Sequence, residues 1–91
     1  MFLLAYDSED DAQAAANQLM GLGQVARRLL EECVEKQGVK RKKASAAAVR
    51  LNDAGFVFIR ETGEQWEPEI TITPSLAGEE ALEWLEHVES K

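Results

Sequence analysis

The sequence contains 91 residues, of which 45% are hydrophobic and 30% are charged, a composition that fits one folded domain and excludes a disordered chain. Cys33 is the only cysteine, so an internal disulfide is excluded, and we expect a buried thiol in a reducing compartment. The six apolar residues before Asp7 are too few to span a membrane, and no basic segment precedes them. Neither a signal peptide nor a membrane span is therefore predicted, and a cytoplasmic location is expected.

The net charge of -7 is distributed unevenly along the chain. Residues 27–60 contain nine of the ten Lys and Arg residues but only four of the seventeen acids, which gives this part a net charge of +5. The flanking residues carry the other thirteen acids. The average charge thus disfavours nucleic acid as a partner, whereas the local charge favours it.

The first third of the chain predicts a short strand followed by helix. Residues 2–6 are apolar and predict the strand. Ser8 then opens the first helix, because a hydroxyl here, with Asp11 three residues later, forms a pair that resembles a capping box. Residues 21–23 (Gly-Leu-Gly) predict a break, although one long bent helix over residues 9–37 stays open as an alternative.

Apolar residues spaced by three and four positions predict a second helix over residues 22–34, with Gly38 as its C-terminal glycine. A basic run, residues 40–43, follows. A third helix then places Ala44, Ala47, Ala48 and Leu51 on one face, and Gly55 ends it.

The last third predicts a hairpin and a final helix. Residues 56–59 are aromatic and β-branched and predict a strand. Residues 62–68 form a polar turn. Residues 70–73 alternate strictly between isoleucine and threonine, as in a strand with one buried face. The final helix is predicted over residues 76–88.

The middle of the chain has the pattern of a helix-turn-helix that runs into a hairpin. Val34 anchors the first helix, Gly38 forms the turn, and three apolar residues of the next helix face inward. Residues 38–44 resemble the turn and recognition-helix start of the winged helix-turn-helix family, notably of bacterial transcriptional regulators. Residues 51–57 resemble the end of that helix, and residues 70–82 resemble the second wing strand with the final helix.

The resemblance implies a small α+β fold for residues 1–91, a winged helix-turn-helix with three helices, a β-hairpin wing and a C-terminal helix. It also implies a transcriptional regulator whose second motif helix lies in the major groove of duplex DNA. The resemblance implies contacts to DNA phosphates from Lys40, Arg41, Lys42 and Lys43. It implies contacts to base edges from Ser45 and Arg50.

Two features keep a second function open. The outward face of the third helix has few side chains able to recognise a base edge, since Ala46 and Val49 offer only apolar contact. The predicted wing turn is acidic, with Glu61, Glu64 and Glu67. The alternative is therefore an acidic protein-interaction module, or a small inhibitor that mimics nucleic acid, of the anti-CRISPR-like kind.

Two tryptophans are candidate interface residues. Trp66 either anchors a partner or folds back on Phe58, and Trp84 lies on a wide apolar stripe that serves the core or a second subunit. A homodimer is expected from that stripe. His87 is the only histidine and has no second ligand, so we expect no metal. The sequence shows no phosphate-binding glycine loop and no catalytic pair, so we expect no cofactor, no small-molecule substrate and no enzyme activity.

Overall fold

The computed structural model describes residues 3–90. Four helices and three strands follow one another as α1 (Glu9–Gly21), α2 (Gln24–Lys36), β1 (Val39–Arg41), α3 (Ala46–Asp53), β2 (Val57–Glu61), β3 (Ile70–Pro74) and α4 (Leu76–Glu89). The strands form one antiparallel sheet in the order β1-β3-β2. The predicted α+β class is confirmed, and so are the hairpin and the final helix.

The first two helices are separate, as the glycine-rich break predicted. The Ser8 hydroxyl accepts a hydrogen bond from the Asp11 backbone N–H at 3.2 Å and caps α1. Helix α1 ends at Gly21, and Gly23 has a φ of 97°, a left-handed value that glycine adopts without strain. The alternative of one long bent helix is therefore wrong.

The connection from α2 to α3 differs from the predicted helix-turn-helix. Gln37, not Gly38, occupies the left-handed cap position, with a φ of 59°. The chain then forms β1, in which Val39 is buried and pairs with Ile72 of β3. The prediction that the basic run begins the third helix is wrong, because this strand intervenes and α3 starts only at Ala46.

The predicted N-terminal strand is also wrong over residues 3–6, where no strand forms; residues 1–2 lie outside the described part. The N–H groups of Leu4 and Ala5 donate instead to the Glu80 carboxylate of α4, at 2.8–3.0 Å. The Tyr6 hydroxyl donates to the Ala77 carbonyl at 2.9 Å. Side-chain and helix groups thus satisfy this segment without a strand partner.

The sheet has one buried face and one open face. Val39, Val57, Ile70 and Ile72 are buried against the helices. The alternate strand positions are exposed or half-exposed, since successive side chains of a strand point to opposite faces. The largest fully buried side chains, which form the core between the sheet and helices, are Phe56, Leu19, Leu30, Leu51, Ile72, Val57 and Cys33.

Helix α4 begins in close contact with the turn that precedes β2. The Ser75 hydroxyl donates to the Gly55 carbonyl at 2.7 Å and accepts from the Gly78 N–H at 3.0 Å, while the Ser75 N–H donates to the Phe56 carbonyl. Gly78 lies directly against the Phe56 backbone, with no room for a Cβ atom. The backbone of α4 therefore approaches this turn at the distance that only glycine permits.

No helix within residues 3–90 has the length and apolar character needed to cross a membrane.

The structure adds one long-range ion pair at the surface. Arg27 of α2 donates to both carboxylate oxygens of Glu89 near the end of α4, with an Nη1–Oε2 distance of 2.8 Å. This bidentate pair links two helices that are distant in sequence.

The Glu89→Gln variant is expected to unfold more easily than the parent near neutral pH but not in acid. The hydrogen bond and charge of Arg27 lower the pKa of Glu89. A glutamate carboxyl group has a pKa of about 4.3 in an unfolded chain. The stability that the ion pair adds to the fold is therefore fully present above that pH, and it is lost as the pH falls through the lowered pKa of Glu89 in the folded state. Urea titrations near pH 7 and around pH 3 measure the difference, with Glu83→Gln as the exposed control on α4. A difference that stays constant with pH would contradict this assignment.

Candidate nucleic-acid interface

Residues 40–50 contain five cations and no acid, and the structure distributes these cations over several surfaces. Lys40 lies on the open face of the sheet, whereas Arg41 points to the helical side. Lys42 and Lys43 lie in the connection before α3, and Arg50 lies on the exposed side of that helix. The predicted set of DNA contacts is thus not one continuous surface.

Arg41 is held in an intramolecular ion pair. Its Nη2 atom lies 3.1 Å from both carboxylate oxygens of Glu32 on α2, and Lys36 contacts the same carboxylate at 3.3 Å. The hydrogen bond from Arg41, followed by that from Lys36, lowers the pKa of Glu32. A phosphate would have to compete with this carboxylate for Arg41, so Arg41 contributes less to an interface than an unpaired cation.

Ser45 caps α3. Its Oγ atom accepts a hydrogen bond from the Ala48 N–H at 3.2 Å, and its backbone is extended, as expected for an N-cap residue. The hydroxyl therefore has a structural partner in the position where the resemblance implied a base contact. It keeps one proton that it can donate.

Lys42 and Lys43 line an open cleft of about 700 Å³ between the connection and the hairpin. The hairpin side of this cleft carries Glu61, Glu64 and Glu69. Both lysines are exposed, so these carboxylates reduce the local positive potential without fixing either ammonium group.

Helix α3 presents a small exposed face beside these lysines. Ala48 and Leu51 are buried against α2 and the sheet, whereas Ala46, Val49 and Arg50 are exposed. Arg50 has no ion-pair partner among residues 3–90. This face can therefore offer one guanidinium group and two apolar contacts to a ligand.

The two tryptophans occupy different environments. Trp66 is 78% exposed in the loop between β2 and β3, and Phe58 is also exposed, so the fold-back alternative is wrong. Trp84 is half-buried between α1 and α4, where its Nε1–H donates to the Gln13 side-chain carbonyl at 2.8 Å. Trp66 thus remains available to a partner, while most of Trp84 serves the packing of two helices.

Acids and cations concentrate on different elements of the fold, apart from the hairpin acids that line the cleft beside Lys42 and Lys43. Helices α1 and α4 pack together and carry eight acids with no Lys or Arg. The segment from β1 to α3, residues 39–53, carries five cations and one acid. Such a separation orients the protein in the field of a polyanion, with the acidic helices directed away from it.

One candidate surface was not predicted from the sequence. Phe58 and Arg60 of β2, Thr71 and Thr73 of β3 and Lys40 of β1 share the open face of the sheet. The two-residue period of a strand places Phe58 and Arg60 on one face, but the sequence of residues 57–61 does not show which face is open. The position of Lys40 beside them depends on β1, whose pairing with β3 has no local signal.

The chain matches no protein-family model, and no curated protein or solved structure shows significant similarity to it. Within residues 3–90, no group of three or more His, Cys, Asp or Glu side chains is placed to hold a metal ion.

Proposed function

We propose that this chain is a small winged-helix DNA-binding protein that docks α3 on duplex DNA. The observation that carries the proposal is the position of α3, which leads directly into the β2–β3 hairpin and has exposed cations in the segment before it and in its last turn. The sheet order β1-β3-β2 and the hairpin after this helix are compatible with a winged helix. The transcriptional role implied by the resemblance is part of the same proposal.

The proposed interface consists of Lys42, Lys43 and Arg50. Lysines next to phosphates supply affinity that does not depend on base sequence, because they displace condensed counterions. The positive end of the α3 dipole adds to the same potential. Arg50 is the one side chain on this face that can form a bidentate contact with guanine.

This composition favours affinity over sequence discrimination. Ala46 and Val49 can contact only a thymine methyl group, so most contacts would go to phosphates. The acids of the hairpin loop, Glu64 and Glu67, would be repelled by a phosphate backbone. The hairpin is therefore expected to point away from the duplex instead of entering the minor groove.

The Lys42→Gln/Lys43→Gln variant is expected to bind duplex DNA at least about tenfold more weakly, at about 1 kcal/mol for each lost contact. The slope of its log binding constant against log salt concentration should become shallower by an amount that corresponds to about two phosphate contacts. Fluorescence anisotropy of a labelled mixed-sequence duplex at several salt concentrations measures both quantities. Arg28→Gln/Lys36→Gln, which removes two exposed cations of α2, is the matched control and should bind like the parent.

Absence of parent binding at low salt would contradict the proposal. So would equal weakening in the α2 control, because binding would then follow net charge and not the α3 surface. A homodimer, which would present two copies of α3, is a further part of the proposal. Sedimentation equilibrium with and without the duplex measures that stoichiometry.

One observation favours a second candidate function, a protein-interaction module. Trp66 is exposed among acids of the hairpin loop, and an exposed tryptophan with charged neighbours is typical of an interface anchor for a basic protein surface. Trp66→Ala distinguishes the candidates, because the DNA proposal requires this variant to retain duplex binding.

A further inference from the structure

The open face of the sheet combines an exposed aromatic ring with two cations. Phe58 is 61% exposed, although it lies in the middle of a strand whose neighbouring positions are buried or half-buried. Strand β2 is an edge strand of the sheet, and its Phe58 ring leaves an aromatic face in water that the core does not use. This ring is therefore available to a ligand.

The strand register aligns the cations in one row. Lys40 of β1 and Arg60 of β2 both pair with Thr71 of the central strand, so they lie on either side of it, roughly 5 Å away across each strand pair. Phe58 pairs with Thr73 in the next row of the same face. The two cations and the ring are thus neighbours on one rigid surface.

The same face carries no acid at these strand positions. Glu69, the residue before β3, is half-buried at the hairpin end of the sheet and lines the cleft with Ile70, and the alternation of β3 places it on the same side as Thr71. The row of Lys40 and Arg60 is nevertheless locally positive on a chain with a net charge of -7. A ligand with negative charges and flat rings is complementary to it.

We infer that this face binds single-stranded DNA, with one unpaired base stacked on Phe58 and the adjacent phosphates held by Lys40 and Arg60. Aromatic rings on a positively charged sheet bind unpaired bases because every base has a π face. Duplex DNA does not fit this mode, since its bases are stacked on each other. The inference is independent of the α3 proposal, because the two surfaces share no residue.

The carbon-rich row beside Phe58 points to DNA and not to RNA. The Thr71 hydroxyl is already hydrogen-bonded to the Thr62 hydroxyl at 2.9 Å. The Gly38–Thr73–Phe58 row presents mainly carbon, since the Thr73 methyl group lies against Gly38. The threonine pair keeps one proton to donate, whereas the carbon surface beside Phe58 suits the C2′ methylene group of a deoxyribose better than a 2′-hydroxyl.

The test is anisotropy of a labelled oligodeoxythymidylate of about ten nucleotides, a length within the range of small single-strand sites. Phe58→Leu keeps an apolar side chain but removes the ring, and we expect about tenfold weaker binding. Lys40→Gln/Arg60→Gln is expected to bind the oligonucleotide weakly. The slope of log binding constant against log salt concentration should become shallower by about 1.4, which is about 0.7 for each lost phosphate contact.

Two controls separate this site from the α3 surface. The Lys42→Gln/Lys43→Gln variant should bind the oligonucleotide like the parent, while the Phe58→Leu variant should bind duplex DNA like the parent. Circular dichroism and thermal unfolding confirm that each variant is folded. Since Phe58, Lys40 and Arg60 are exposed, loss of folding is not expected.

Four results would overturn the inference. The first is no parent binding at low salt, and the second is binding that neither sheet variant weakens. The third is equal or tighter binding of an oligouridylate of the same length, which would exclude the assignment to DNA. If Phe58→Leu instead converts a parent dimer to a monomer without changing oligonucleotide binding, the ring serves self-association and the inference fails.

Discussion

Gly78→Ala is expected to destabilise the fold by about 3 kcal/mol and to lower Tm by more than about 10 °C. A Cβ atom at this position would meet the carbonyl oxygen of Phe56 and come within 3.1 Å of the Phe56 Cα atom. These are backbone atoms, so no side-chain rotation relieves the contact. Either α4 or the turn before β2 must shift, and Phe56 is among the largest buried side chains.

Gly21→Ala is the matched control for this variant. Gly21 is also a helical glycine, in the last turn of α1, but a Cβ atom there would meet nothing within 4 Å. Alanine is preferred to glycine in helices by up to about 1 kcal/mol, so this variant should be neutral or slightly more stable. Denaturation by urea measures both variants. Equal stability of the two would show that α4 can move away from Phe56 at little cost.

Glu80→Ala is expected to destabilise the fold by about 3 kcal/mol and to release residues 4–6 from α4. The Glu80 side chain is buried, with 4% exposure, and accepts hydrogen bonds from the N–H groups of Leu4 and Ala5. Truncation leaves these donors without their carboxylate partner. Glu80→Gln keeps one acceptor oxygen and should lose less stability.

Tyr6 provides a spectroscopic measure of the release. Burial, and secondarily the charge of Glu80, raise the pKa of Tyr6, which is the only tyrosine. We therefore expect Glu80→Ala to lower that pKa toward its usual value, as measured from phenolate absorbance during a pH titration. Glu83→Ala, on the exposed side of α4, should leave both stability and the titration unchanged. An unchanged Tyr6 titration in the Glu80 variant would contradict this anchoring role.

The elements that carry a local signal were predicted from the sequence. The strict alternation of residues 70–73 and the periodic apolar residues of 76–88 correspond to β3 and α4. Gly55 ends α3 with a φ of 81°, as its position predicted. In each case the residues themselves favour the local backbone conformation, so distant contacts are not needed to identify the element.

Strand β1 was missed because its signal is not local. It has three residues, of which only Val39 is buried, and the other two are cations that resemble a helix start. What makes it a strand is pairing with β3, about thirty residues later in the chain. Pairing at such a separation cannot be recognised from periodicity in one segment.

The candidate site was predicted in part for the same reason. The cationic residues were identified correctly by type, but their directions depend on β1, which turns Lys40 and Arg41 to opposite sides of the sheet. The ion pair of Arg41 with Glu32 joins two elements and has no sequence signature. The exposure of Phe58 likewise follows from which sheet face the helices cover.

The burial of Cys33 gives the molecule an internal reporter of its own opening. The thiol is fully buried in α2, and burial raises its pKa, so both access and thiolate formation are suppressed in the folded state. A thiol-specific reagent can therefore react only with molecules in which this part of the core has opened. Because the chain has no second cysteine, the modification rate reports one defined position and follows the population of open molecules when reclosing is fast.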